Sequence, residues 1–324
     1  MEAAVGAAPA GTRYESLLDL IGNTPLVRLR RMSPRDGVRI WAKLEGQNPS
    51  GSVKDRIAKA MLAAARADGS LAVGQTILEP TSGNTGLSLA MIGRLYGHPV
   101  RCVMPESVSH ERRDLLRFYG AELVLSPGDL GTNGAVKMAQ EMYAEDPSVF
   151  MPMQYENADN PGAHYRGTGP EVLRDCPQIT HFVAGLGTGG TLTGVGRYLK
   201  EHKPDVKIVA AAPHPGDLVQ GLRSMEEGYI PPVFDEAVLD GRIVVDSRTS
   251  FAVTKQLLEQ EGIFAGISCG AAVRTAQRVA ERMQSGDIVV LLADGGWKYL
   301  STGLWGREYD DIAGDETIEG QLWW

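Results

Sequence analysis

Short runs rich in β-branched and small apolar residues recur along the 324-residue chain, separated by segments of helical period. This alternation restricts the possible folds more than any other feature. The runs fall at 39–44, 76–79, 100–104, 122–125, 181–184, 207–211, 242–245 and 288–293, with helical stretches such as 56–67, 86–95, 111–119 and 191–202 between them. Strands that alternate with helices must run parallel, because each helix returns the chain to the same edge, and parallel sheets need helices on both faces. The expected fold class is therefore α/β, and the length suffices for two domains sharing a cleft. The polar, Asn/Pro-rich stretch 150–165 is the best internal candidate for a crossing between two sheets.

Composition narrows the function. A formal net charge of −8 argues against a nucleic-acid or anionic-membrane surface, which would need a basic field. No apolar run reaches the roughly 20 residues of a membrane span. The cysteines, Cys102, Cys176 and Cys269, are odd in number and scattered, with no C-x-x-C pair and no Cys/His cluster at metal-ligand spacing. They read as reduced, mostly buried thiols, and no metal site is expected. The six histidines are equally scattered, and no Ser/His/Asp triad can be argued. Residues 1–11 are Ala/Gly-rich, with Glu2 and no basic residue before Arg13, unlike a signal peptide. They read as a disordered tail on a cytoplasmic protein. The end of the chain, 313–324, is acidic and closes on Gln321-Leu322-Trp323-Trp324, where frayed tryptophans would meet water for no gain.

Three polar segments carry the chemistry. The first is Asn48-Pro49-Ser50-Gly51-Ser52-Val53-Lys54-Asp55-Arg56, in which Pro49 and Gly51 force a turn, Ser52 can cap, and Lys54 falls in the first turn of a helix. A lysine is ordinarily a solvated surface charge. Here the positive end of the helix dipole and partial burial would lower its pKa, and an amine partly neutral near pH 7 can form a Schiff base. The second is Thr81-Ser82-Gly83-Asn84-Thr85-Gly86, opening a helix. A plain capping turn would explain some of it, but the run of donors suits a carboxylate-binding loop better. The third is Gly185-Leu186-Gly187-Thr188-Gly189-Gly190-Thr191, a helix start whose amides can cradle a phosphate, with Thr188 and Thr191 adding hydroxyls. A fourth turn-to-helix segment contains Ser268, for which a simple N-cap role is the plain alternative.

The third segment also matches the dinucleotide fingerprint. That reading needs an acid at the end of the next strand, and the chain there reads Val209-Ala210-Ala211-Ala212-Pro213. A lysine at a helix start, a hydroxyl-and-amide loop and a phosphate-type glycine loop are instead the parts needed to hold a phosphorylated aldehyde covalently, and the cofactor expected is pyridoxal 5'-phosphate.

The three segments, in this order, resemble the cysteine synthase branch of the fold-type-II pyridoxal-phosphate enzymes, together with cystathionine β-synthase. The likeness runs from about Tyr14 through Ile21-Gly22-Asn23-Thr24-Pro25-Leu26 to Tyr299-Leu300-Ser301-Thr302. It implies two doubly wound α/β domains, tryptophan synthase β-like, with the cofactor cleft between them. The larger would comprise 12–45 and 150–312, the smaller and mobile one 46–149, and 313–324 would be a tail. By the same resemblance Lys54 forms the internal aldimine and later moves the Cα proton. Asn84 bonds the ring hydroxyl, Gly187, Thr188, Gly189, Gly190 and Thr191 hold the phosphate, and Ser268 meets the pyridine nitrogen. Thr81, Ser82, Asn84 and Thr85 would surround the substrate carboxylate, with Gln154 nearby. A neutral Ser268 leaves the ring a weaker electron sink than an aspartate would, which suits β-elimination.

The implied reaction expels the leaving group of an O-activated serine to give an aminoacrylate, then adds sulfur to make L-cysteine. O-Acetylserine enzymes of the family usually carry Gly-Ile-Gly where this chain reads Gly221-Leu222-Arg223. Arg223 offers a bidentate partner for a phosphate leaving group, unless it pairs with Glu226 or Glu227. The pattern, like the ending Glu319-Gly320-Gln321-Leu322-Trp323-Trp324, is similar to the actinobacterial O-phosphoserine sulfhydrylases, whose sulfur comes from a small ubiquitin-like carrier protein ending in a thiocarboxylate. In that subfamily the tail folds into the cleft. The resemblance thus implies a homodimeric transferase of cysteine biosynthesis acting on O-phosphoserine. The rivals are an O-acetylserine sulfhydrylase using free sulfide, a cystathionine β-synthase, a non-catalytic binding scaffold and an NAD-dependent oxidoreductase. Two departures from the family pattern, Ala212 in place of an acid and Trp297-Lys298-Tyr299 in place of Glu-Arg-Tyr, are not expected to touch the chemistry.

Overall fold

The computed structural model describes residues 13–313, apart from 82, 107, 109, 218, 220, 228 and 229. The expectations for Ser82, for the 1–11 tail and for the Trp-terminated tail lie outside the described residues.

Two sheets organise the chain. The larger has six strands in the order β1-β2-β9-β6-β7-β8: β1 (Leu26–Arg28), β2 (Val38–Leu44), β6 (Ile179–Gly185), β7 (Lys207–Ala212), β8 (Gly241–Val244) and β9 (Gly286–Leu292). The smaller is β3 (Ile77–Pro80), β4 (Val100–Pro105) and β5 (Glu122–Ser126), in sequence order. All pairings are parallel except β1 with β2. Each expected strand is present to within two residues at its ends. The antiparallel β1 was not anticipated, because three residues are too few to show alternation.

The helices are α1 (Lys54–Asp68), α2 (Asn84–Tyr96), α3 (His110–Phe118), α4 (Gly131–Glu145), α5 (Asp159–Ala163), α6 (Gly169–Asp175), α7 (Gly190–His202), α8 (Ser247–Glu261), α9 (Ile267–Ala280) and α10 (Tyr309–Ala313). They cover both faces of both sheets. On the large sheet, Val253, Leu257, Ala272 and Ala276 of α8 and α9 pack on Ile40, Val183 and Val290. Leu192, Val195 and Leu199 of α7 pack on Phe182, Ile208 and Val289 from the other side. On the small sheet, Ala58 and Leu62 of α1 join Leu87 and Ile92 of α2 over Ile77 and Cys102, and Ala135 and Ala139 of α4 cover Leu78 and Val103. Burial from both sides is why β7 and β9 read as nearly continuous apolar runs rather than alternating ones.

Phe150 still belongs to the small sheet, exchanging backbone bonds with Thr76 and Leu78 beside β3. The chain then crosses to the large sheet through 151–158, where the Asn/Pro signal placed the crossing. The stretch is not loop throughout, since Asp159–Ala163 is helical.

A buried ion cluster fastens α1 to the large sheet. The Arg56 guanidinium donates to Glu45 (Nε to Oε2, 2.7 Å) and to Glu171 (Nη2 to Oε2, 2.7 Å), and Lys43 of β2 reaches Glu171 at 2.7 Å. Burial works against ionisation of Glu171, but hydrogen bonds and charge from Arg56, with the charge of Lys43, outweigh it and hold the pKa down to about 2. Removing one partner of such a cluster strands the other charges, at a cost of about 3–5 kcal/mol. Glu171→Gln is therefore expected to lower the unfolding free energy obtained from urea titration by that amount. The folded pKa lies below the unfolded value of about 4.3, so the ion pairs stabilise above that pH and weaken as pH falls toward about 2. The gap between wild type and Glu171→Gln should narrow across that window.

Candidate functional site

Lys54 is the first residue of α1, and the turn before it is tied to the far end of β9. Val53 N donates to Ala293 O (2.9 Å) and Gly295 N to Gly51 O (3.2 Å). Asp55 locks the same turn from inside, accepting from Ser50 N (2.7 Å) and from the hydroxyls of Ser50 and Ser88. Ser52 does not cap the helix as expected: Val53 occupies the N-cap, and the Ser52 hydroxyl accepts from Lys54 N at 3.3 Å. Burial lowers the Lys54 pKa, opposed by the charge of Asp294. The amine is thus biased toward the neutral, nucleophilic form.

Lys54 stands where two cavities meet. One is lined by Gly187, Thr188, Gly189, Thr191, Gly221 and Ser268. The other is lined by Thr81, Asn84, Thr85, Gln154 and Arg223, with Lys54, Gly187 and Thr188 shared. The glycine loop joins β6 to α7, and its residues are glycines for steric reasons. Gly189 has φ +83°, and a Cβ on Gly187 would lie 2.8 Å from Gly221 O. Among the described residues no acceptor takes the amides of Gly187, Thr188 or Gly189. Orphaned donors at a helix N-terminus are the makings of an anion site. Ser268 is not an N-cap: Gly266 holds that position without a side-chain bond, and Ser268 sits one residue into α9 with its side chain lining the cavity.

In the second cavity Thr85 donates to Gln154 Oε1 (2.7 Å), and Thr81 Oγ1 accepts from Gly86 N (3.2 Å). Gln154 follows Met153, which has φ +56°, a left-handed backbone held by the buried Glu79 carboxylate through Met153 N (2.9 Å) and Gln154 N (3.1 Å). Burial pushes Glu79 up to about 7, against those two amides. Arg223 stacks on the Tyr155 ring at 5.4 Å, while Glu226, one of its anticipated partners, pairs with Arg242. The side chain of the other, Glu227, is not among the described ones.

Several residues of the cleft were not singled out in the sequence. Arg112 of α3 lines the second cavity, 7% exposed, over the Tyr299 ring. His164, set aside among scattered histidines, is buried with Nε2 3.2 Å from Thr191 Oγ1, and burial with the charges of Arg56 and Lys54 drives its pKa well down. Asp294 accepts from Asn84 Nδ2 (2.8 Å) and Tyr299 Oη (2.6 Å). Lys298, expected to stand apart from the chemistry, donates to Asn84 Oδ1 at 2.6 Å. That expectation is corrected: β9 and the turn after it deliver the 294–299 segment against the start of α2. The partner that brings Asp294 and Lys298 to the cleft, Asn84, lies more than 200 residues away in sequence.

The thiols are shielded from solvent. Cys102, Cys176 and Cys269 are all buried, and burial raises each to about 12. Thiol titration of the native protein is expected to find far less than one reactive equivalent, and all three cysteines after unfolding.

The chain is similar to known proteins along most of its length. Residues 17–295 match the family model described as pyridoxal-phosphate dependent enzyme. Cysteine synthase B of Escherichia coli (strain K12) is 42% identical over 295 residues, covering 91% of this chain and 97% of that protein. The probable cysteine synthase of Bacillus subtilis (strain 168) is 42% identical over 299 residues, covering 89% and 96%. Among solved structures, O-ureido-L-serine synthase superposes with a TM-score of 0.87 at 39% identity, covering 94% of this chain and all of that one. The cysteine synthase (OASS) of Entamoeba histolytica superposes with a TM-score of 0.87 at 32% identity, covering 98% and 97%.

Proposed function

The chain belongs to the pyridoxal-phosphate dependent enzymes, in their cysteine synthase branch, with pyridoxal phosphate as cofactor, and from that premise we propose that it makes L-cysteine from O-phospho-L-serine with sulfur from a thiocarboxylated carrier protein. One observation carries the choice of phosphoserine: the Arg223 guanidinium lines the cleft that also holds Lys54, Thr85 and Gln154. A second arginine, Arg112, lines the same cleft, so a dianionic leaving group meets positive charge from α3 and from the loop after β7.

The residues present suit the cofactor. The unpartnered amides of Gly187, Thr188 and Gly189, with the Thr188 and Thr191 hydroxyls, would hold its phosphate. Lys54 would hold it covalently, Asn84 would face its ring oxygen, and Ser268 its ring nitrogen. When bound, the cofactor supplies an electron sink for negative charge at the substrate Cα. The protein's own work surrounds that sink. Lys54 Nζ, whose pKa burial has lowered, takes the Cα proton. Thr81 in the turn before α2 and Thr85 in its first turn, with Gln154, bind and orient the substrate carboxylate, aided by the helix dipole. Arg223 binds the departing phosphate and offsets its charge as the bond to Cβ breaks.

A second reading, O-acetylserine as substrate and free sulfide as donor, is favoured by the relatives named cysteine synthase and OASS. Kinetics decide between the two. Arg223→Ala is expected to lower kcat/KM for O-phosphoserine roughly 10–150-fold, the equivalent of one charge-assisted hydrogen bond, and to leave O-acetylserine nearly unaffected. An equal effect on both esters would overturn the phosphate role. Single-turnover sulfur addition should run faster with a thiocarboxylated carrier protein than with sulfide, and the reverse order would exclude the carrier. Borohydride reduction of the holoenzyme is expected to fix the cofactor on the peptide containing Lys54, and Lys54→Ala to cost about 10²–10⁴-fold in kcat.

A further inference from the structure

Lys298 is 3% exposed, on the short helical turn Gly296–Thr302 that follows β9. Its Nζ donates to Asn84 Oδ1 (2.6 Å) and to Gly51 O (3.2 Å), and lies 5.1 Å from the centre of the Trp297 ring. Asn84 Nδ2 in turn donates to Asp294 Oδ2 at 2.8 Å. These two neighbours leave the amide one orientation. An ammonium only donates and a carboxylate only accepts. Rotating the amide by half a turn would set its NH₂ against the ammonium and its oxygen against the carboxylate. Asn84 lines the second cavity, and in this orientation Nδ2 keeps a second N–H to offer there.

We propose that Lys298 is a positioning residue which, through Asn84, keeps an N–H donor aimed at the ring oxygen of the cofactor and so favours the anionic form of that oxygen. The inference rests on the reading that Asn84 faces the cofactor ring. It gives a role to a lysine that stands where the family usually has arginine, and it makes that role depend on pH.

The charged groups that bear most on Lys298 come from three parts of the fold. Asp294, just past β9, and Asp55 of α1 favour the ammonium; Arg112 of α3 and Lys54 of α1 oppose it. Burial is the largest influence and brings the pKa down to about 8. The folded value lies below the unfolded lysine value of about 10.4, so between the two the folded chain holds fewer protons. The ammonium, and with it Lys298's share of the lock on Asn84, is fully present well below pH 8 and is lost as pH rises through about 8. A neutral amine can accept as well as donate, so above that pH Asp294 alone holds the amide and the turned orientation costs less.

The test follows the visible absorption band of the holoenzyme from roughly pH 6 to 10, together with cofactor retained on dialysis, in wild type, Lys298→Met, Lys298→Arg and Asn84→Ala. Wild type is expected to show one spectral transition with a midpoint near 8. Lys298→Met should lack that transition, hold the high-pH band throughout, and retain cofactor roughly 2–10-fold more weakly. Lys298→Arg, whose donor does not titrate here, should hold the low-pH band throughout and retain cofactor as wild type does. A Lys298→Met band that titrates like wild type, while Asn84→Ala shifts it, overturns the proposal. A band unchanged in Asn84→Ala overturns the underlying reading of Asn84 instead. If Lys298→Met does not fold, Lys298→Arg decides alone: a transition that persists near 8 in that variant sinks the idea.

Discussion

Arg56 is the fixed point on which the site depends. It lies two residues after Lys54, is 6% exposed, and its guanidinium is divided between Glu45 beside β2 and Glu171 of α6. Burying these charges is costly, and only a fully paired cluster recovers the cost, so the geometry tolerates little variation. The first turn of α1 therefore has one place to sit. Although α1 packs against the small sheet, its first residues belong mechanically to the large one, through Arg56 and through the bonds from Gly51 and Val53 to the end of β9. Lys54 is carried by that junction to the mouth of both cavities.

Charge in the cleft is arranged in two layers. Facing the cavities are donors: the glycine-loop amides, Lys54, Arg112 and Arg223. Behind them are buried acids, each fixing the orientation of a donor. Asp55 holds the Lys54 turn, Glu79 holds the strained Met153–Gln154 backbone, and Asp294 holds Asn84 and Tyr299. Preorganised donors in a partly dry site suit a substrate and cofactor that are both anionic, because the polar groups need no rearrangement when charge arrives.

Much of this was legible along the chain. Strand and helix alternation sufficed for two parallel layers, since period and length are local properties. The three glycine-broken segments were legible because backbone chemistry at a helix start needs particular residues at fixed offsets. Arg112, His164, Asp294 and Lys298 were not. An arginine in Glu111-Arg112-Arg113 looks like a solvated helix start, and a lysine in Trp297-Lys298-Tyr299 like a surface charge. Ser268 was ambiguous for a related reason: capping and cavity-lining serines look alike until the helix start is known to the residue.

The sequence by itself determined the fold class and the placing of Lys54 and the glycine loop at helix starts, because each is written in residues that are neighbours in the chain. Only the tertiary structure decided that Lys54 stands between two cavities, that Asn84 is pinned between a carboxylate and an ammonium, and that two arginines far apart in the chain share one cleft. The physical reason is that electrostatics act through space. The pKa of a lysine and the orientation of an amide depend on burial and on charges that arrive from elements as far apart as α1, α3 and the end of β9.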